Sequence, residues 1–516
     1  LYTKAGPFGS LLPARLPPEH RTVHIIEPEE FRQAKLEELR QLGVDPYGGR
    51  FDGTIPIAEA RERYREGESV EVRVAGRITN IRGKGKAAFL DLRDGSGRIQ
   101  IYFQLNRLGE ERFGVSKLLD LGDLVGVEGE LEVTRTGELT VFATDFRILA
   151  KALLSPPEKW HGLRDKELRY RRRYVDLFSN PEVMETFLKR TRIVSRIRRF
   201  LEERGFVEVE TPMMQSIPGG AAARPFVTHH NALEIDLYLR IAPELYLKRL
   251  LVGGMARVFE INRNFRNEGM STRHNPEFTM IEVYQAYADY RVMMDLTEEL
   301  IVALVDETQE SRKVRYGELE LDFTPPWPRR TFKELLEEHA GVRLGDADGL
   351  RAKARELQKA PEDDHPDYLA QQLFDEFVEP HLLQPTFVLD YPLTVCPLTK
   401  STEHDPGLAA RFELYIAGVE CANAYTELND PLEQERRFLH QVGGEEERER
   451  LDADFLRALS YGMPPAGGLG IGIDRLCMVL TDSPSIRDVI LFPLLRPEGQ
   501  GGATAAEGEE PAGEEA

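Results

Sequence analysis

The stretch Phe259-Glu-Ile-Asn-Arg-Asn-Phe265-Arg266-Asn-Glu268-Gly-Met-Ser-Thr-Arg-His274-Asn275-Pro-Glu-Phe278-Thr-Met-Ile-Glu282 is the densest polar constellation in the chain. Alternation puts Glu260, Asn262 and Asn264 on one face and Phe259, Ile261 and Arg263 on the other, as the two-residue period of a strand requires. Arg266 and Glu268, two residues apart, share a face. A surface hairpin laced with ion pairs carries the same pattern, so the hairpin alone leaves its chemistry open. Upstream, residues 182–204 read as an amphipathic helix with Val183, Phe187, Val194, Ile197 and Leu201 on one side, stopped by Gly205. Phe206-Val-Glu-Val-Glu alternates as a strand, and Pro212 ends it. Downstream, residues 292–383 read as mostly helical, and strand patterns return at 386–390 and 411–428. Strands and helices mix without regular β-α-β alternation, which predicts an α+β domain on an antiparallel sheet over 161–497.

Ahead of it lies a different pattern. Residues 1–28 are proline-rich and predict a loose arm, and 29–68 a helical segment carrying Phe31, Leu36, Leu39 and Leu42. Short alternating runs between Gly-rich turns over 69–150 predict a small barrel or sandwich. A linker is expected at 151–160 and a disordered acidic tail at 498–516. The 516 residues carry a net charge of −21, so any contact with nucleic acid must be local. The barrel supplies one candidate: between residues 71 and 98 stand seven basic and three acidic side chains, with Phe89, Tyr102 and Phe103 expected at the surface. Cations that track phosphates and rings that stack on bases suit single-stranded nucleic acid. A solvated basic face over core-packing aromatics is the commoner reading of this pattern, and the favoured one. Three separated cysteines without a CxxC pair argue against a disulfide framework and fit a reducing cytoplasm. No apolar run reaches the length of a membrane span.

Two further features bear on chemistry. Glu413, Glu420 and Glu427 recur every seven residues in strand-like sequence. Carboxylates converging in a sheet repel one another unless a cation, Mg²⁺ or an ammonium, sits between them; three separately exposed glutamates carry the same spacing. The Gly-rich run at 467–472 fits neither common nucleotide-binding template.

Together these segments resemble the class II aminoacyl-tRNA synthetases, and among them the lysine-specific family. Gly205-Phe-Val-Glu-Val-Glu-Thr-Pro212 is similar to the family's first motif, a dimer-interface element that includes Pro212. Phe265-Arg266-Asn-Glu268 with His274 and Phe278 is similar to the second, and Gly468-Leu-Gly-Ile-Gly-Ile-Asp-Arg475 to the third. The resemblance implies an N-terminal OB-fold that reads the anticodon, a homodimer, and a reaction in which lysine and ATP form lysyl-adenylate before the lysyl group passes to its tRNA. It implies that Arg266 and Arg475 neutralise phosphate charge, with Glu268, His274, Asn275 and Phe278 also on ATP. It implies that Glu413 and Glu420 hold Mg²⁺ on the triphosphate. Gly220, Glu244, Glu282, Tyr284, Asn423, Tyr425 and Glu427 are implied around lysine, with Glu427 and Tyr284 on its ε-ammonium. Arg77, Phe89 and Gln100 are implied at the anticodon, and His229-His230 in a loop near lysine.

The chain departs from the family pattern at Thr394 and Cys396, at Met255-Ala256 and at Cys421-Ala422, none of them a residue assigned a role. Three other readings compete. A protein-lysylating paralogue would lack the barrel, a degenerate scaffold would have lost Arg266, Arg475 or the glutamates, and a synthetase for aspartate or asparagine would not present the anions Glu282 and Glu427.

Overall fold

The computed structural model describes residues 28–157, 163, 165–221, 223–357, 364–442 and 451–497. The acidic tail, and the arm up to residue 27, lie outside them. Two compact units part between Leu163 and Arg164.

In the first unit β1 (Glu71–Lys84), β2 (Ala87–Arg93), β3 (Arg98–Gln104), β4 (Leu124–Val133) and β5 (Leu139–Ala150) close a barrel in the order β1-β2-β3-β5-β4. Alternation sends Val74, Ile78, Leu90, Leu92, Ile99 and Ile101 inward, where they are fully or almost fully buried. Phe103 shares the parity of Ile99 and Ile101. It is therefore a core residue, its ring tilted against Phe146 at 4.7 Å, as the favoured reading of the barrel aromatics has it. The helix Glu30–Gln41 buries Leu36 and Leu39 but leaves Phe31 and Leu42 exposed, so its apolar stripe is narrower than the sequence suggests. The expected linker starts as packed structure. Lys151 is buried against Asp120 and Asp123, at 2.6 and 2.8 Å, and Ser155 bonds Glu29.

The second unit adds β6 (Val207–Glu208), β7 (Met214–Gln215), β8 (Val227–His230), β9 (Ile235–Leu239), β10 (Arg257–Phe265), β11 (Glu277–Ala286), β12 (Lys313–Tyr316), β13 (Leu319–Asp322), β14 (Arg329–Thr331), β15 (Thr386–Leu389), β16 (Arg411–Ile416), β17 (Val419–Thr426) and β18 (Ala466–Gly472). Eight of them form one sheet in the order β14-β15-β16-β17-β18-β11-β10-β6. It is antiparallel except for the pairs β14–β15 and β10–β6 at its two edges. The first-motif strand pairs over only Val207 and Glu208. The stretch expected to be helical holds the β12–β13 hairpin and β14 as well as helices.

One face of this sheet is core. Phe259, Ile281, Val283, Leu469 and Ile471 pack there against Ile197 and Leu201 of the helix Pro181–Glu202, Leu300 and Leu304 of Tyr290–Thr308, and Leu476 of Ile473–Leu480. The residues of opposite parity face away from these helices, and the polar constellation belongs to them.

Candidate active site

β10 and β11 pair from Arg257–Gln285 to Phe265–Glu277, so Arg266 to Pro276 form the hairpin's connection. Next to β11 in the sheet, β18 offers Gly472, Gly470 and Gly468 opposite Met280, Glu282 and Tyr284. The side chains at Leu469 and Ile471 go to the core. The Gly-rich run is thus a strand with one bare face, not a phosphate loop. A Cβ on Gly468 would fall inside the envelope of Glu427 Oε1 and 2.7 Å from Tyr284 Cε1.

Beyond β18 lies β17, where an irregularity in register changes the parity of a carboxylate. Leu414 pairs with Ala422, but Tyr415 pairs with Glu420, so Cys421 is an extra residue. The bulge puts Glu420 on the same face as Asn423 and Tyr425, a spacing of three that a regular strand forbids. Cys421 itself is buried in the core, and burial pushes its thiol up to about 12.

Two cavities meet on this face, sharing Arg266, Met280, Asn423 and Gly470. The smaller, about 140 Å³, is lined by Arg266, Glu268, His274, Asn275, Phe278 and Arg475, every residue assigned to ATP, and by Glu420. Arg266 is mostly buried, with its guanidinium 5.1 Å from the Phe278 ring centre and no partner for its Nε among the described residues. Arg475 lies in the first turn of its helix and donates to the Glu420 carbonyl at 2.7 Å and the Glu420 carboxylate at 3.3 Å. Its neighbour Asp474 is pinned by Arg190 at 2.5 Å and by the Thr279 amide at 2.7 Å. Burial first, and the charge of Arg475 second, hold His274 below the usual imidazole range. A neutral ring fits its contacts, with Nε2 accepting from Arg475 at 3.3 Å and Nδ1 facing Ser271 Oγ at 2.9 Å.

The larger cavity, about 1250 Å³, is lined by Gly220, Glu244, Glu282, Tyr284, Asn423 and Tyr425 among others. Gly220 has φ +89°, and a Cβ there would come 3.1 Å from Glu244 Cβ. Glu244 is buried and accepts from Tyr425 Oη at 3.0 Å and Lys248 Nζ at 2.6 Å. Tyr284 Oη donates to Glu282 at 3.0 Å. Burial, with the charge of Glu244 next, drives the Glu282 carboxyl well above the ordinary range.

Glu427 is the exception among the lysine residues. It is wholly buried, is not part of the cavity wall, and lies against Lys248. The three glutamates spaced by seven therefore do not converge. Of the two cations their repulsion allowed for, the chain's own Lys248 ammonium is the one at Glu427. Nothing in the sequence reading singled out Lys248. Its one signal was the Glu244–Lys248 spacing of four on a helix, which any surface ion pair shares.

Glu413 also departs from expectation. Its carboxylate accepts from Tyr391 at 2.7 Å, Tyr415 at 2.6 Å and Arg411, and it does not line either cavity. Glu420 is partly exposed to the smaller cavity. Burial would raise its pKa, but Arg475 and the Asn423 amide, with Arg411 and Arg266 beyond, hold it below the usual range. Among the described residues no group of three or more metal-ligating side chains gathers. Of the pair expected on Mg²⁺, Glu420 fits and Glu413 is already committed. Cys396, one of the departures, accepts from Arg411 at 3.1 Å and so does reach an assigned residue, Glu413, through it. His229 and His230 sit on the exposed strand β8, with His229 on Asp236 at 2.8 Å, and outside the cavity wall.

On the barrel, Phe89 stacks on Tyr102 at 4.5 Å and Tyr102 meets Phe142 edge-on at 5.1 Å, an aromatic platform on the outer face. Gln100, two residues before Tyr102, accepts from Thr140 at 2.9 Å. Arg77 stands elsewhere. It pairs with Arg93, four residues along β2 from Phe89, and donates to the Gly122 carbonyl at 2.8 Å, whereas Arg82 is the residue opposite Phe89.

Residues 165–496 match the family model of the class II tRNA synthetases (D, K and N), and residues 72–149 match that of the OB-fold nucleic acid binding domain. The chain is 56% identical to the lysine–tRNA ligase of Pelotomaculum thermopropionicum over 477 residues, covering 90% of this chain and 94% of that one. It is 54% identical to the lysine–tRNA ligase of Carboxydothermus hydrogenoformans, covering 93% and 99%. With that identity over most of both chains, and the class II model matched across residues 165–496, the chain belongs to the lysine–tRNA ligase family of class II tRNA synthetases.

Proposed function

We propose that the chain attaches L-lysine to its tRNA with ATP, through lysyl-adenylate. The observation that carries this reading is the junction of the two cavities at Arg266, between an acidic pocket and an arginine-lined one. The substrate carboxylate is the nucleophile. It attacks the α-phosphorus, the bond to the bridging oxygen breaks, and pyrophosphate leaves. No protein nucleophile or base is needed; alignment and charge neutralisation are. Arg266, at the junction, bonds the carboxylate and the α-phosphate together. Arg475 takes the γ-phosphate, and Phe278 stacks on adenine with Glu268 and His274 at the rim. Guanidinium forks suit both phosphate contacts. Mg²⁺ on the triphosphate would be held by Glu420 with phosphate oxygens and would supply further charge neutralisation there. Glu413 braces that strand through Arg411 and the two tyrosines.

Glu244 receives the α-ammonium and Glu282, with Tyr284, the ε-ammonium. Glu427 acts from behind the wall. An uncharged side chain of equal length leaves a buried carboxylate unpaired and is rejected. Phe89 and Gln100 read an anticodon base by stacking and by the amide edge, with Arg82 a better-placed cation than Arg77. Pro212, Met213, Met214, Val227, Leu233 and Ile235 are exposed around the small β7-β9-β8 sheet. Such a patch on a soluble enzyme is the signature of an interface, and a homodimer would cover it. Among the described residues no helix is long and apolar enough to cross a membrane.

The test is ATP–pyrophosphate exchange with each of the twenty amino acids in turn. Exchange with lysine alone is expected. Exchange with another amino acid, or with none, would overturn the reading.

A further inference from the structure

Lys248 stands one turn after Glu244 on the helix Glu244–Val252 and is wholly buried. Its ammonium is 2.6 Å from Glu244 Oε1 and also against Glu427 Oε2, which arrives from beyond the end of β17. Glu244 faces the cavity and Glu427 does not. Leu245, Leu247 and Leu251 of the same helix are buried beside Tyr284 and Phe455. An ammonium is costly in such a place unless it has anions to hold. Burial alone would lower the Lys248 pKa, yet Glu244 and Glu427 raise it above the ordinary lysine value.

We propose that Lys248 is a positioning residue of the amino-acid pocket, tying Glu244 to Glu427 so that the Glu244 carboxylate is held aimed at the substrate's α-ammonium. This rests on the lysine reading above. The groups facing the ammonium are Glu244 on its own helix and Tyr425 and Glu427 from the β17 segment; Glu282 and Tyr284 of β11 face those two carboxylates in turn, with Glu260 of β10 beyond. Lys248 is the one cation in this group; the rest are carboxyls and phenols. Without the ammonium, three carboxyls share a buried space with no lysine beside them, and like-charged neighbours in low dielectric keep protons. Burial already pushes the Glu427 carboxyl up to about 8 against the pull of Lys248, and drives the Glu282 carboxyl well above the ordinary range; a carboxyl that keeps its proton cannot receive an ammonium without first losing it, so the defect should lessen as pH rises.

The experiment is lysine-dependent pyrophosphate exchange by full-length Lys248→Met, in which an unbranched thioether fills the space without charge. At pH 7 the lysine KM should rise at least thirty-fold, the ATP KM should stay within twofold of wild type, and kcat should change less than the lysine KM. Between pH 7 and 9 the KM defect should shrink at least fivefold. A lysine KM that keeps the wild-type pH profile, with only the yield or kcat reduced, would show a packing role and overturn the proposal. If Lys248→Met does not fold, Lys248→Met/Glu427→Gln removes one buried charge of each sign. A folded double variant with a raised lysine KM supports the proposal. A wild-type KM in it, or failure of it also to fold, counts against. Wild type run alongside separates the two readings: no lysine-dependent exchange by wild type removes the lysine assignment itself, whereas normal exchange with an unaffected variant removes only the role of Lys248.

Discussion

Gly468→Ala should damage lysine binding far more than the same change two residues on. At Gly468 the new methyl carbon would lie 2.7 Å from Tyr284 Cε1 and inside the envelope of Glu427 Oε1, where carbon contacts normally settle at about 3.5–4.0 Å. Neither neighbour can retreat freely. Tyr284 is buried with its hydroxyl on Glu282, and Glu427 is fully buried against Lys248. Overpacking a rigid core costs about 1–3 kcal/mol, and parting a buried ion pair costs about 3–5 kcal/mol. The whole of the first and a fraction of the second give roughly 3 kcal/mol, about a hundredfold if it appears in the lysine KM. At Gly470 the methyl would meet the end of Met280 at 3.1 Å and Asn423 Oδ1 at 3.5 Å. A methionine terminus can swing aside, so Gly470→Ala should cost about 1 kcal/mol or less. The assay is pyrophosphate exchange over a range of lysine concentrations, with the denaturant midpoint measured on the same preparations. If the two variants share a wild-type lysine KM and midpoint, the packed arrangement of Gly468, Glu427 and Tyr284 is wrong.

Arg266→Lys keeps the charge but loses the fork, and single-turnover adenylate formation should slow by about 10²–10³ at saturating substrates, the usual loss when a preorganised donor is removed; near-normal turnover would take Arg266 off the reacting groups. Phe89→Ala should lower kcat/KM for tRNA charging by roughly 10- to 100-fold through lost stacking and leave pyrophosphate exchange unchanged; a fall in both would place Phe89 in stability instead. Burial, then the charge of Asp375, pushes the half-buried Glu379 carboxyl up to about 7 from 4.5, against the Tyr415 hydroxyl. Because the folded state holds this proton more tightly, its contribution to stability is full below about 4.5 and is lost as pH rises through 7. Glu379→Gln should therefore be more stable than wild type at pH 8 in denaturant titrations, and lose the advantage at pH 4.5.

Much of the polar hairpin was legible because strand alternation is a local property. Glu260, Asn262 and Asn264 oppose Phe259 and Ile261 whatever the sheet does around them, and the β10–β11 register bears that parity out. Phe103 follows the same rule. It shares the parity of Ile99 and Ile101 and is buried with them, whereas Phe89 and Tyr102 take the outer face. The site was harder. Glu420 joins Asn423 only through a bulge at Cys421, and a spacing of three gives no hint of it. The bare face of 468–472 looked like a failed phosphate loop until its register against Glu282 and Tyr284 was known.

The sequence by itself determined the two-part architecture, the strand parities and, through residue types at motif spacing, the arginines, glutamates and aromatics to weigh. These follow from near neighbours along the chain. The tertiary structure alone decided which carboxylates face the cavity. Glu413 and Glu427 were indistinguishable from Glu420 as letters seven apart, yet Arg411 with two tyrosines claims the first and Lys248 the second. The charge of a buried acid depends on which cation the fold brings within about 3 Å of it. Lys248 is 179 residues from Glu427 in the sequence, a distance no local pattern spans.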